Sequence, residues 1–340
     1  MKTVDQNTDA ALNAPRAMIL AAFAAIYLIW GSTYLAIKVA IETVPPFLMT
    51  GVRFLIAGGA LYAWSVLRPA REANENIRPS TLRAWRDAFV VGALLIVGGT
   101  SLVGWAELSV PSGITSLILA TTPLWMVLLD GAGNRRMPSG QVLVGVMVGL
   151  GGLAILIGPS LLSPGDGVNL LGAGALVLAS LTWTAGALYS RRLPHVGSPA
   201  RTTGMQMIAG AILSLVIGVT IGELDRFTLA NVTPVAVAAV GYLVIAGALV
   251  GFSAYLWLMR VSTPSRVATH AYVNPVVAVL LGWAILGEAV TMRTGAAMGV
   301  IVAAVVLIVS APAPTAKLAT ENVVIRATTR GWRRLTQRAA

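Results

Sequence analysis

The stretch LIWGSTYLAIKVAIETVPPFLMTGVRFLIAGGAL, residues 28–61, holds the end of one long apolar run and most of a second, parted only by the break from Glu42 to Pro46. A hydrocarbon core about 30 Å thick takes roughly 20 apolar helical residues per crossing. The stretch therefore reads as two antiparallel membrane spans joined by a short turn. The pattern recurs and predicts spans at 17–40, 46–67, 87–108, 111–130, 139–158, 169–190, 202–222, 235–258, 264–286 and 292–311. A membrane barrel would show alternating segments of about ten residues, and these runs are continuous. With no water in lipid to satisfy the backbone, each span must be an α-helix. The expected fold is an all-α integral membrane protein of ten transmembrane helices.

Composition agrees: 56% of the 340 residues are hydrophobic and 11% charged, with a mean hydropathy of +0.80, well outside the soluble globular range. The first run follows Lys2 and Arg16 and competes with a signal peptide. It is too long for that and continues without pause into Trp30 to Ala40, so it reads as a retained span. Absence of cysteine excludes disulfides, thiolate metal sites and cysteine nucleophiles. His195 falls in a predicted loop and His270 in a span, so no metal site is expected. Neither HExxH nor GxSxG nor a Walker A sequence is present, which argues against an enzyme, a cofactor or direct use of ATP.

The net charge of +11 would suit nucleic acid, but its placement points to lipid. With the N-terminus inside, 20 of the 24 Lys and Arg residues fall in inner segments, Arg226 and Arg293 fall outside, and Lys38 and Arg53 lie within spans. The positive-inside rule then puts both termini in the cytoplasm. One span too many or too few would scatter the arginines over both faces.

The two halves align at an offset of 150 to 153 residues. Trp30 falls on Trp183, Thr50 and Gly51 on Thr203 and Gly204, Pro111 and Ser112 on Pro264 and Ser265, Pro123 on Pro275, and Gly145 and Gly149 on Gly295 and Gly299. Five spans per half is an odd number, so the second copy enters from the opposite side. The predicted organisation is an N-terminal segment 1–16, a first five-helix repeat 17–158, an inverted second repeat 169–311 and a basic tail 312–340. Such architectures bind substrate near the midplane between repeats and expose it alternately to each side.

At this point the chain resembles the drug/metabolite transporter superfamily, in particular its EamA-type ten-helix exporters. Residues 28–61, VPSGITSLILATTPLWMVLL at 110–129 and NPVVAVLLGWAILGE at 274–288 carry the resemblance. It implies two five-helix repeats and export of amino acids or other small metabolites across a bacterial inner membrane. A passive facilitator or channel is the alternative, with a polytopic membrane enzyme behind it. Against the pattern, Arg136 stands about where the second half has Glu288.

Charge inside a span is expensive and points to function. Arg53 suits a cavity-facing cation for a substrate carboxylate, or else a snorkelling or structural arginine. Lys38 is a substrate-cavity candidate whose simpler account is an i, i+4 pair with Glu42. Glu107 and His270 are the candidates for proton coupling, against an interfacial carboxylate and a satisfied core histidine. Trp30, Tyr34, Trp183 and Tyr272 could line an amphipathic pocket or belong to interfacial belts, with Thr122 and Asn274 as polar contacts. Pro123 and Pro275 are expected to kink their helices. The GxxxG pairs Gly145/Gly149, Gly247/Gly251 and Gly295/Gly299 allow close packing, or a homodimer face. The expected partners are a small-molecule substrate and the bilayer, not nucleic acid.

Overall fold

The computed structural model describes residues 15–67, 82–134, 139–162, 168–193, 198–262 and 270–311. The basic tail and nearly all of the N-terminal segment lie outside the described residues. Every described element is helical. The first half comprises α1 (Arg16–Ala40), α2 (Pro46–Leu67), a composite rod of α3 (Leu82–Gly92), π-helix π1 (Ala93–Ser101) and α4 (Leu102–Glu107), then α5 (Ser112–Leu119), α6 (Thr122–Asn134) and α7 (Gly140–Leu162). The second comprises α8 (Leu170–Arg192), α9 (Pro199–Thr220), the short α10 (Glu223–Arg226), and a composite rod of α11 (Pro234–Tyr242), π-helix π2 (Leu243–Gly251) and α12 (Phe252–Val261). It closes with α13 (His270–Leu286) and α14 (Met292–Val309).

Among the described residues, six helices are long and apolar enough to cross a membrane: Arg16–Ala40, Pro46–Leu67, Leu82–Glu107, Leu170–Ser190, Ala200–Thr220 and Pro234–Gly251. Gly140–Ile155, Val273–Leu286 and Met292–Ile308 are shorter apolar helices. The run expected at 111–130 is not one helix. It breaks between α5 and α6, because Pro123 has no N–H and its ring crowds the carbonyl of Leu119. That carbonyl accepts the Thr122 hydroxyl at 2.5 Å instead. Pro275, by contrast, stays inside α13.

Packing pairs a helix of one half with a helix of the other: α2 lies along α9, and α7 along α14. In lipid there is little hydrophobic drive between helices, so close backbone approach at small residues matters most. A Cβ on Gly58 would stand 2.6 Å from Met207 Cβ, and one on Gly204 would stand 2.9 Å from the Tyr62 nitrogen. On the other seam, Gly145 and Gly149 make room for Ile308 and Leu124. A Cβ on Gly295 or Gly299 would meet nothing within 4 Å, so that pair lies off this seam.

Between these seams, α1 packs on α13 and π2, and α8 packs on π1. Leu117, Ile118, Leu176, Leu243 and Ile301 are fully buried here. Polar ties cross the interior too: Ser214 donates to the Phe47 carbonyl at 2.8 Å and shares a 2.9 Å bond with Ser101.

Candidate functional site

The two π-helices are nine residues each and start 150 positions apart, at Ala93 and Leu243. Wide π turns are often found at functional positions. Each receives a tryptophan from another helix. Trp183 of α8 lies against π1, where a Cβ on Gly99 would be 2.9 Å from its ring. Trp30 of α1 lies against π2 and donates from Nε1 to the Gly247 carbonyl at 3.3 Å. A Cβ on Gly251 would sit 2.5 Å from that nitrogen. The Gly247/Gly251 pair thus serves the approach of side chains.

Around Trp30 the structure gathers an aromatic cluster. Its ring lies 5.2 Å from Tyr255 and 5.2 Å from His270, and the latter two are 6.0 Å apart edge to face. Asn274, one turn beyond His270, ties α13 to α1 when its amide nitrogen points to the carbonyls of Tyr27 (3.2 Å) and His270 (3.1 Å).

Arg53 of α2 reaches the other side of Gly247, where a Cβ would stand 3.0 Å from Nη2. It is only 5% exposed. Its guanidinium lies 4.8 Å from the Phe54 ring centroid, yet Nε and Nη1 have no hydrogen-bond partner. Burying such donors unpaired costs about 1–3 kcal/mol each. Snorkelling is ruled out by burial.

A second cluster joins α1 to the end of α4. Lys38 does not pair with Glu42. Its ammonium donates to the backbone carbonyl of Glu107, because α1 and α4 pack together and turn the lysine inward. Glu107, at the end of α4, is fully buried among protein atoms, with neither carboxylate oxygen bonded. Tyr34 lies one turn before Lys38 on α1 and packs against the same buried core.

The remaining candidates are dispersed. Thr122 is engaged by the Leu119 carbonyl and by Ser180 Oγ at 3.2 Å, Trp183 sits in the other half-site, and the Tyr272 side chain lies outside the described residues. Two carboxylates escaped the sequence reading as site residues. Glu223 accepts from the backbone nitrogens of Phe47 (3.2 Å) and Leu48 (2.9 Å). Glu288 accepts from Ser112 N (2.7 Å), Ser112 Oγ (2.8 Å) and Gly113 N (3.0 Å). A Gly-Glu dipeptide at the end of an apolar run, present twice, was the available signal. Burial holds the Glu223 carboxyl above the ordinary carboxylate range, against the pull of the two N–H groups and of Arg226. Among the described residues, no cluster of metal-ligating side chains occurs.

The sequence pattern of the EamA-like transporter family matches residues 16–158 and again 170–310. The Escherichia coli protein described as "Uncharacterized inner membrane transporter YedA" is 36% identical over 298 residues, covering 85% of this chain and 90% of its own. An Escherichia coli "Probable amino-acid metabolite efflux pump" is 22% identical, covering 78% of this chain and 86% of its own. A solved crystal structure, 21% identical, superposes with a TM-score of 0.59 over 87% of this chain and 98% of that one. That likeness concerns the fold.

Proposed function

Because the chain belongs to the EamA-like transporter family and is a multi-pass inner-membrane protein, we propose that it is a non-enzymatic, alternating-access exporter of small metabolites, amino acids or related carboxylates. On this reading ten spans form two inverted five-helix repeats, 17–158 and 169–311, with both termini cytoplasmic. The matched π-helices, each faced by its own tryptophan, support the repeat. Inverted repeats that meet at a shared site suit alternating access, in which one repeat rocks against the other.

The observation that carries the substrate class is Arg53. A buried guanidinium with two free donors, one glycine away from an aromatic cluster, offers a bidentate anchor for a carboxylate and an apolar wall for the rest of the molecule. Trp30, His270 and Asn274 shape that wall, while Lys38 and Glu107 form a separate ionisable station on the route. Purified protein in liposomes, loaded with a labelled mixture of amino acids and organic acids, tests the reading. Saturable flux of carboxylate-bearing solutes, lost in Arg53→Met, is expected. Flux confined to solutes without a carboxylate refutes the substrate class, and flux that never saturates refutes the carrier in favour of a channel.

A further inference from the structure

We propose that the two Gly-Glu turns, Gly222-Glu223 and Gly287-Glu288, are the outer gate of the carrier: each glutamate clasps a helix start in the opposite half and holds the outer face shut. The inference rests on the carrier reading and on the orientation with both termini inside.

Both turns are built alike. Gly222 and Gly287 are the positive-φ glycines among the described residues, at +76° and +66°, and each directly precedes its glutamate. Only glycine takes that left-handed conformation without strain, and here it swings the next side chain back across the helix end. An earlier glycine on the same helix leaves space for the returning carboxylate. A Cβ on Gly218 would be 3.0 Å from Glu223 Oε2, and one on Gly282 would collide with Glu288 Oε2. Glu223 then caps the start of α2, and Glu288 the start of α5.

Helix starts ordinarily receive their cap from the residue just before them, as α8, α9, α11 and α14 do from Asn169, Ser198, Thr233 and Thr291. The sequences Val44-Pro45-Pro46 and Val110-Pro111 offer no such side chain to α2 and α5. Their caps come from 175 and 176 residues away, in the other half. All four backbone donors and both acceptors lie at ends that the charge distribution places outside. The halves cannot part on that face until both clasps break. At the inner end of the described residues, α9, the repeat counterpart of α2, is capped by its own Ser198, which accepts from Arg201 N at 3.2 Å. A local cap does not resist separation of the halves. The two glutamates are therefore positioning residues that favour an outward-closed resting state, open to cargo from within.

The chain has no cysteine, so single reporters can be placed on it directly. Ser116→Cys sits one helical turn beneath the Gly113 clasp at a position 1% exposed, and Leu229→Cys at one 77% exposed in the outer loop. Intact cells are treated with a membrane-impermeant maleimide. Leu229→Cys should label rapidly and Ser116→Cys slowly. Adding Glu223→Gln or Glu288→Gln should speed labelling of Ser116→Cys about tenfold, which corresponds to about 1.4 kcal/mol, with no rise from the inner face of inverted vesicles. The conservative Gln variants are checked for wild-type helix content and elution, and either clasp alone suffices for the test. Unchanged Ser116→Cys labelling in folded variants overturns the gate. So does an equal rise from both faces, which would report loosening of the fold. A Leu229→Cys protein that resists labelling in intact cells overturns the outer placement, while the flux assay judges the carrier itself independently.

Discussion

Replacing Arg53 by methionine should make the protein more stable and less active at once. In the resting structure Nε and Nη1 are buried without partners, a penalty of about 2–6 kcal/mol for the two donors together. Methionine keeps an unbranched stem that fills most of the space and brings no donors or charge. Against the gain stands the loss of the contact with Phe54, worth about 1–2 kcal/mol in a desolvated place. A net gain of about 0–5 kcal/mol remains, centred on a rise of a few degrees in thermal midpoint. A buried arginine that belonged to a structural ion pair would behave oppositely, since removing one partner of such a pair costs about 3–5 kcal/mol. Thermal melts of the detergent-purified protein, alone and with the transported solute, read the sign. Arg53→Met should melt above the parent without solute, lose the solute-induced increment and carry flux at a tenth of the parent rate or less. A midpoint several degrees below the parent, or full retention of flux, refutes the assignment of those free donors to a ligand.

Gly251→Ala drives a Cβ to 2.5 Å from Trp30 Nε1; overpacking of this kind costs about 1–3 kcal/mol and should lower both stability and flux, whereas a variant that transports normally would detach Trp30 from the site. Glu107→Gln keeps shape while removing a fully buried carboxyl, and should abolish acceleration of flux by an imposed proton gradient while leaving downhill flux measurable; retained acceleration moves coupling elsewhere. For Glu223, whose carboxyl burial holds above its ordinary range, the folded protein binds the proton more tightly than the unfolded chain. That contribution is complete below the unfolded value of about 4.3 and is lost as pH rises through the folded value. The parent's thermal midpoint should therefore fall relative to Glu223→Gln as pH climbs through that window, and parallel curves for the two proteins would refute it.

Much of the helical scaffold was legible because long apolar runs leave the backbone little choice in lipid. The pairing of α2 with α9 and of α7 with α14 matches helices that correspond at the repeat offset. The break between α5 and α6 was half legible: Pro123 announced a disturbance, but whether a proline bends a helix or divides it depends on what satisfies the freed carbonyl, here Thr122. The π segments had no signature, since a run such as Leu243–Gly251 differs from an α-helix only in which carbonyl each N–H finds. The expected pairing of Lys38 with Glu42 fails for the same reason. Glu42 is its neighbour along the helix, while the Glu107 carbonyl lies 69 residues away and is chosen by packing. Arg53 and Trp30 were picked out as costly or bulky residues deep in a span, but the glycines that admit them, Gly247 and Gly251, read only as a packing motif.

A pair of identical inverted repeats would have no preferred direction, because the inward-open and outward-open states would be equivalent by symmetry and equal in free energy. Any bias must reside where the repeats differ. The halves share matching π-helices and matching tryptophans, but at the substrate path Arg53 falls on Gln206 at the repeat offset. Further differences lie at the ends. On the proposed orientation, the outer ends hold two helix starts that lack their own caps and depend on glutamates of the other half. On the same orientation, the inner counterpart of one of them caps itself, and the position matching Glu288 falls at about Arg136. Each tenfold preference between the two states needs only about 1.4 kcal/mol, within reach of one or two charge-assisted hydrogen bonds. A bias toward the inward-open state lets cytoplasmic solute find the carrier already open, and the binding energy of a carboxylate at Arg53 then goes into breaking the clasps. On this argument the carrier's direction is written in its end caps, and replacing both glutamates should make flux in the two directions more nearly equal even where the total rate falls.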